Sequence, residues 1–407
     1  MQLLLSKSFW IGLCLFSVPL MAETTASSAS HASQADSQHS RPTSQTHAES
    51  GIKFHCSQEQ ITQLKNDFDK LFLSYGWLGD KPQVETHVSP DNRQLNLRLN
   101  TYWLDTDTLN LKDRSNLKIT EDVDTFIDRK GTKQEYKVAS EKEIVAAMLQ
   151  NGRLFEFDRS FCSFDKFIEH VKIRKNIIRW GIRAMWEFPD GDTKFDKNFW
   201  SSDWKLQPGV KSSEAIADAF TGKVDYEIGC TKACQKIMAQ GILDYYKNVK
   251  KDGKMIEHLD GITAPTPLDT MEMIVNGESK TTMVREGTLM ERHFKVPSNH
   301  WVPGDWGWIK NPDAESAEEN GFEGCNIVYI GRGLFVVYYG TDPDRTLDEA
   351  LVRVYQWRRD SKEESITPEL KSQLRKDPRS GGLLRDVRDF PKNFHEEDIG
   401  KHPKSHP

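Results

Sequence analysis

The chain has 407 residues, a formal net charge of −6 and 29% charged residues. That balance gives no global electrostatic pull toward nucleic acid, whose binders carry basic faces. The apolar stretch Phe9 to Leu20 is too short to span a bilayer, and no second apolar run is long enough to hold the chain in a membrane.

In chain order, Lys7, the apolar stretch and Leu20-Met21-Ala22 read as a secretory signal peptide over residues 1–22. The expectation is a secreted or periplasmic protein without membrane insertion. Cys14 is a poor lipid-attachment site, because Leu13 stands where a small residue is wanted. Residues 23–50 are mostly Ser, Thr, Ala, Gln and His. Such a segment buries too little surface to offset its ordering entropy, which predicts a disordered linker with solvated His31, His39 and His47.

Residues 51–155 read as an N-terminal α+β unit. Ser57 to Gln60 forms a capping box ahead of Ile61, Leu64, Phe68, Leu71 and Phe72 at helical spacing. Leu95, Leu97 and Leu99 alternate with polar residues as in a half-buried strand, and Ser140 to Glu143 opens a short helix that stops near Gly152. A core over residues 156–358 follows. Phe164, Phe167, Ile168, Val171, Ile178, Ile182 and Met185 trace a longer helix that breaks before Pro189. The turn Leu206 to Val210 leads into a helix begun by Ser212 or Ser213, and a third helix starts at Cys230 with Ala233, Cys234, Ile237, Met238, Gly241, Ile242 and Tyr245 on one face.

Between Lys250 and Met283, Gly and Pro predict loops and short pieces. Strands are predicted at Trp306 to Ile309, Asn326 to Ile330, and Leu334 to Tyr338 or Tyr339. Thr346 to Glu349 caps a final helix bearing Leu347, Leu351, Val354 and Tyr355. Residues 359–407, rich in both signs of charge, read as a flexible tail.

Of six cysteines, Cys14 lies in the signal, which leaves an odd number. In an oxidising compartment at least one then lies outside any disulfide within the chain. Cys56 and Cys162 precede the core and pair naturally, fastening the first helix to the longer one. Cys234, one turn after Cys230, reads as a small buried residue. Cys230 is the functional candidate. A thiol at a helix N-terminus feels the positive end of the helix dipole and is favoured as a thiolate, the form that attacks a carbonyl carbon.

Two runs carry a family resemblance. The first is Phe199-Trp200, Lys205-Leu206, Pro208-Gly209-Val210, Ser213, Ala215-Ile216, Asp218, Tyr226 and Cys230. The second is Pro303-Gly304-Asp305, Lys310-Asn311-Pro312, Gly324, Asn326, Ile327-Val328 and Gly331. Over Phe161 to Gly340 the chain resembles the bacterial spore-coat-type protein-glutamine gamma-glutamyltransferases. The resemblance implies an α+β fold with a papain-like (NlpC/P60-type) thiol-enzyme core and Cys230 as nucleophile. It implies glutamine and lysine side chains of proteins as substrates, with no cofactor and no metal.

The chain departs from the family at three places. Gly229 and Cys325 stand where the family has glutamates, and Tyr338 or Tyr339 stands where many members have a histidine. Glu227 and Glu323, each two residues before a lost glutamate, are the candidate replacement bases, with His300 or His293 as a further acid-base candidate. Solvated carboxylates and structural histidines are the plainer readings of these four. The resemblance also places the region of Trp301, Trp306, Trp200, Trp204 and Trp308 on the approach to the thiol and offers Tyr338 or Tyr339 as a hydrogen-bond donor to substrate; core packing is the plainer reading of all of them. Cys325, at the glutamate position beside the nucleophile, makes a Cys230–Cys325 disulfide a second possibility. Three functions stay open on these residues: an acyltransferase, a deamidase or amidase using water as acceptor, and an inactive binding or structural protein closed by that disulfide.

Overall fold

A computed structural model describes residues 51–100, 117–128, 130–150, 154–157, 159–189, 192–263, 272–275, 289–294, 301–311, 313, 315–318, 322–336, 344–355, 367–369 and 384–389. The signal, the linker, His300, Tyr338 and Tyr339 lie outside the described residues.

The N-terminal sheet has the order β2(Val84–Val88), β3(Gln94–Leu99), β1(Gly51–His55), β6(Leu154–Phe157). β1 pairs antiparallel with β3 and parallel with β6. Helix α1(Gln58–Ser74) starts at the expected capping box, with Ser57 and Gln60 exchanging both bonds. Its Ile61, Leu64, Phe68 and Phe72 are buried, and Phe68 packs edge-on against Phe164 and Phe167 of α3(Phe164–Arg183). The disulfide Cys56–Cys162 joins the start of α1 to the segment before α3, with Cα atoms 5.5 Å apart. One continuous apolar core runs from Ile52 to Val354, so the boundary expected near residue 155 is not a break in packing. It falls inside β6, which the N-terminal sheet needs.

The hairpin β4(Asp122–Ile127)–β5(Lys133–Val138) leans on α3 through Asp124, which accepts hydrogen bonds from Arg179 Nε and from Nε and Nη2 of Arg183. Helix α2(Glu141–Leu149) is capped by Ser140, which accepts from the Glu143 amide at 3.3 Å. The reciprocal half of that box is absent. Glu143 Oε1 instead accepts from the Arg332 amide at 2.6 Å, tying α2 to the far sheet.

Two further helices, α4(Ser212–Thr221) and α5(Cys230–Asp244), complete the layer against α3. At Gly241 the helices cross so closely that a Cβ would lie 2.5 Å from the Ile177 side chain and 2.7 Å from its Cα, a fit open only to glycine. The predicted one-sided burial of α5 is corrected here. Every residue from Ala233 to Leu243 is buried, because α3 and the sheet cover the helix from two sides. A helix α6(Gly253–Thr263) forms where only loops and short pieces were expected.

The second sheet is seven-stranded, in the order β12(Asp344–Thr346), β11(Leu334–Val336), β10(Gly324–Gly331), β9(Trp306–Lys310), β13(Leu384–Asp389), β8(Met290–Phe294), β7(Glu272–Val275). β10 pairs antiparallel with β9, opposing Cys325 to Ile309 and Asn326 to Trp308. The capped helix α7(Leu347–Tyr355) follows β12, with Thr346 and Glu349 exchanging bonds at both backbone amides.

The flexible-tail expectation for 359–407 fails at Leu384–Asp389. β13 sits inside the sheet, antiparallel to β9 on one side and to β8 on the other. Its four charged residues hid it. A central strand draws its place from main-chain bonds on two sides, which composition does not record.

Candidate active site

Cys230 is the first residue of α5, and Gly229, its N-cap, supplies no side-chain hydrogen bond to the helix start. The segment leading in is held on both edges. Ile228 donates its amide to Glu187 O at 3.0 Å, while Glu227 and Lys194 exchange backbone bonds at 3.0 and 3.1 Å. Tyr226 and Ile228 are buried anchors. Cys230 itself is half-buried.

Across from it stands β10. Asn326 Nδ2 donates to Cys230 Sγ at 3.1 Å and to Thr231 Oγ1 at 3.0 Å. The other end of that amide is fixed by the indole of Trp306, whose Nε1 donates to Asn326 Oδ1 at 2.9 Å. An indole N–H has no acceptor capacity, so this contact decides which way the amide points and aims its N–H at sulfur. The amide donor and the uncapped helix start both favour negative charge on Sγ.

Cys325 is the neighbour on the other side. It is fully buried, its thiol faces the Asn326 carbonyl oxygen at 3.3 Å, and it is hydrogen-bonded with Cys230. Burial first, and then the contacts with Cys230 and Cys234, push the Cys325 thiol well above its ordinary range, so it stays protonated. The structure carries Cys230, Cys234 and Cys325 as thiols and not as a Cys230–Cys325 disulfide; Cys56–Cys162 is joined as expected. Among the described residues no group of His, Cys, Asp and Glu is arranged to hold a metal ion.

The other predicted site residues scatter. The Glu227 carboxylate forms an ion pair with Lys194 beside the entry segment. Glu323 is exposed at the mouth of β10, whereas Cys325 two residues on is fully buried. His293 lies on β8, paired with Val275 and Val387. Trp301 is corrected from a substrate-facing residue to a core residue. It is fully buried, edge-on to Tyr329 and Phe335, and its ring fills the space where a Cβ on Gly307 would sit. Trp306 is likewise buried and acts behind Asn326 instead of lining an approach. Trp200 and Trp204 are core residues too, while Trp308 is half-buried on β9 opposite Asn326.

The turn that feeds β9 is anchored from α3. Arg174 donates to Asp305 Oδ1 at 2.8 Å and to Pro303 O at 3.3 Å, both side chains fully buried. Gly304, at φ +93, lies with its missing Cβ 3.2 Å from the Arg174 backbone. The ion pair thereby sets where β9 begins, and with it the indole that aims Asn326.

Asn326, the partner of the thiol, and Thr231, which accepts from the same Asn326 amide, are the site residues that sequence reasoning missed. The only available signal was the proximity of Asn326 to Cys325 in the Gly324-Cys325-Asn326 triplet.

Comparison with known proteins fits this arrangement. Residues 122–365 match the model of the TGL family, protein-glutamine gamma-glutamyltransferase. The chain belongs to that family. Its matched region takes in the helix bearing Cys230 and the strand bearing Asn326, and it begins at β4, inside the expected N-terminal unit. Among solved structures, the transglutaminase from Geobacillus stearothermophilus without its C-terminal extension is similar at 19% identity, covering 56% of this chain and 95% of that one with a TM-score of 0.39. No curated protein matches the chain. No helix among the described residues is long and apolar enough to cross a membrane.

Proposed function

We propose that this chain is an exported transglutaminase-like acyltransferase with a papain-like core, joining glutamine and lysine side chains of proteins through a thioester on Cys230. The observation that carries the reading is the Asn326 amide donating to Cys230 Sγ at 3.1 Å at the head of α5. Family membership supports acyl transfer at the level of reaction class.

On this reading the Cys230 thiolate adds to the carboxamide carbon of a glutamine side chain. The C–N bond then breaks, and the nitrogen leaves as ammonia with a proton taken up on the way. A lysine amine attacks the thioester, the C–S bond breaks, the thiolate returns and the surplus amine proton is released. The Asn326 N–H stabilises the sulfur while it carries charge, and Trp306 keeps that N–H in place. The Asn326 amide and the Cys325 thiol cannot themselves take up the proton. That role goes to a group outside the pair, and Glu323 and Glu227 are the two carboxylates to test for it.

The test is incorporation of a fluorescent primary amine into a glutamine-containing protein under reducing conditions. Wild type labels the acceptor and Cys230→Ala does not; equal labelling by both removes the acyltransferase. A second reading, a fold that binds without reacting, draws on Gly229 and Cys325 standing at the family's glutamate positions. Reduced wild type that never labels, yet is fully folded, is the outcome that reading requires.

A further inference from the structure

We infer that Cys230 and Cys325 form a redox-active pair, oxidised to a disulfide by exchange with a low-molecular-weight disulfide and reopened by a low-molecular-weight thiol. The exchange chemistry is independent of acyl transfer; only its consequence, that oxidation shuts the acyl-transfer site, rests on the function proposed above.

Three observations point the same way. The two thiols meet around one residue, one on a helix start and one on a strand: Asn326 donates its side-chain amide to Cys230 Sγ at 3.1 Å, and its carbonyl oxygen lies 3.3 Å from Cys325 Sγ. Their environments are unequal. Cys230 is half-buried and receives the Asn326 N–H, as an attacking thiol requires, whereas Cys325 is fully buried and kept protonated. An accessible attacking sulfur backed by a sheltered resolving sulfur is the arrangement that thiol–disulfide exchange uses. Third, Cys325 is held in place along β10 by its register with β9, opposite Ile309, and is fully buried there.

The steps balance. The Cys230 thiolate attacks one sulfur of the incoming disulfide, forming a mixed disulfide and expelling a thiolate. The Cys325 thiol gives up its proton to that leaving thiolate and attacks the Cys230 sulfur, expelling the second half as another thiolate, which takes a proton from solvent. Two electrons pass from the protein to the incoming disulfide, which leaves as two thiols. Buried Cys234, one turn along α5 and electrostatically coupled to Cys325, is the rival partner.

The experiment equilibrates the full-length native protein with defined mixtures of oxidised and reduced glutathione, quenches with an alkylating reagent and maps peptides without reduction. Expected is a peptide pair joined through Cys230 and Cys325, with both residues losing alkylation together as the mixture becomes more oxidising. In Cys325→Ala, Cys230 should stop at the mixed disulfide with glutathione. Wild type that also stops there, that joins Cys230 to Cys234, or that keeps both thiols alkylatable overturns the pair. The wild-type map decides the matter even where Cys325→Ala folds poorly. Amine incorporation read on the same samples separates the two claims. Activity lost with the bond and regained on reduction supports the shut-off. A reduced protein that never incorporates amine overturns the acyltransferase and leaves a mapped disulfide standing; activity unchanged by the bond overturns the shut-off and, with it, Cys230 as the nucleophile.

Discussion

The helix mouth at Gly229 and the strand position at Cys325 flank the same sulfur, and at each the resemblance read from the sequence leads one to expect a glutamate. They are physically opposite. A Cβ added at Gly229 would meet no atom within 4 Å, and its φ of −68° is open to any residue. Cys325 is sealed between Cys230, Cys234 and the β9 strand with no exposure at all. One loss left open space that a carboxylate can re-enter. The other was filled by a thiol whose pocket now suits an uncharged group. The comparison teaches that the two departures are not equally reversible.

The sharpest way to break that contrast is Cys325→Glu. Burying an ionised carboxylate there should cost about 3–5 kcal/mol, the scale of an uncompensated buried charge. Its folded-state pKa is raised, so the variant should be most stable at acid pH and lose stability as pH rises through that value. Urea melts at two pH values check it, and an unchanged midpoint would show that the pocket tolerates charge.

Asn326→Ala removes the donor to sulfur and should slow amine incorporation by about tenfold to a hundredfold, the 1.5–3 kcal/mol of a hydrogen bond to a charged group. A rate equal to wild type would sever the strand from the chemistry.

Six residues along from Cys230, Lys236 extends the comparison within one helix. It is fully buried and its ammonium lies 3.7 Å from the Trp200 ring centre and 4.8 Å from that of Trp204, with no hydrogen-bond acceptor on Nζ. Burial, then nearby Lys232, holds it well below the ordinary lysine value of 10.5. A depressed folded-state value gives stability that is full above the unfolded value and falls as pH drops from there toward the folded one. Wild type should therefore melt at lower temperature near neutral pH than near pH 10, relative to Lys236→Met. That variant should gain about 1–3 kcal/mol at neutral pH by removing an unsatisfied buried donor. Thermal melts of both proteins across pH test this, and parallel curves would refute it.

Trp306→Phe keeps the ring and deletes the N–H that orients Asn326. About 1 kcal/mol of stability should go, with a smaller loss of rate than in Asn326→Ala. Gly229→Glu should be the mildest in stability, within about 0.5 kcal/mol, because an added Cβ there meets no atom within 4 Å. It should raise amine incorporation by placing a carboxylate next to Cys230; a fall in rate would mean that the open space does not face the sulfur.

The sequence made the helices legible wherever a cap and a 3.6-residue period coincide, as at Ser57 and Thr346. Strands were legible where apolar residues dominate, at β9, β10 and β11, and where leucines alternate with polar residues, at β3. β4, β5 and β13 are mostly charged or polar, and their pairing is set by partners far away in the chain. In the site, Cys230 was readable from its place at a helix start. The orientation of Asn326 was not, because it depends on an indole brought in by a neighbouring strand. Lys236 gave no signal for the same reason: its burial follows from both faces of that helix being covered.

β13 bears on how this protein can be cut. The family match ends at residue 365, and the strand between β9 and β8 begins at Leu384. A recombinant fragment trimmed to the matched region would strip β9 of one of its two neighbours and separate β8 from the rest of the sheet. Trp306 pairs with Arg388 in that strand, so such trimming would reach the nucleophile by way of a tryptophan and an asparagine, without deleting a single residue of the site.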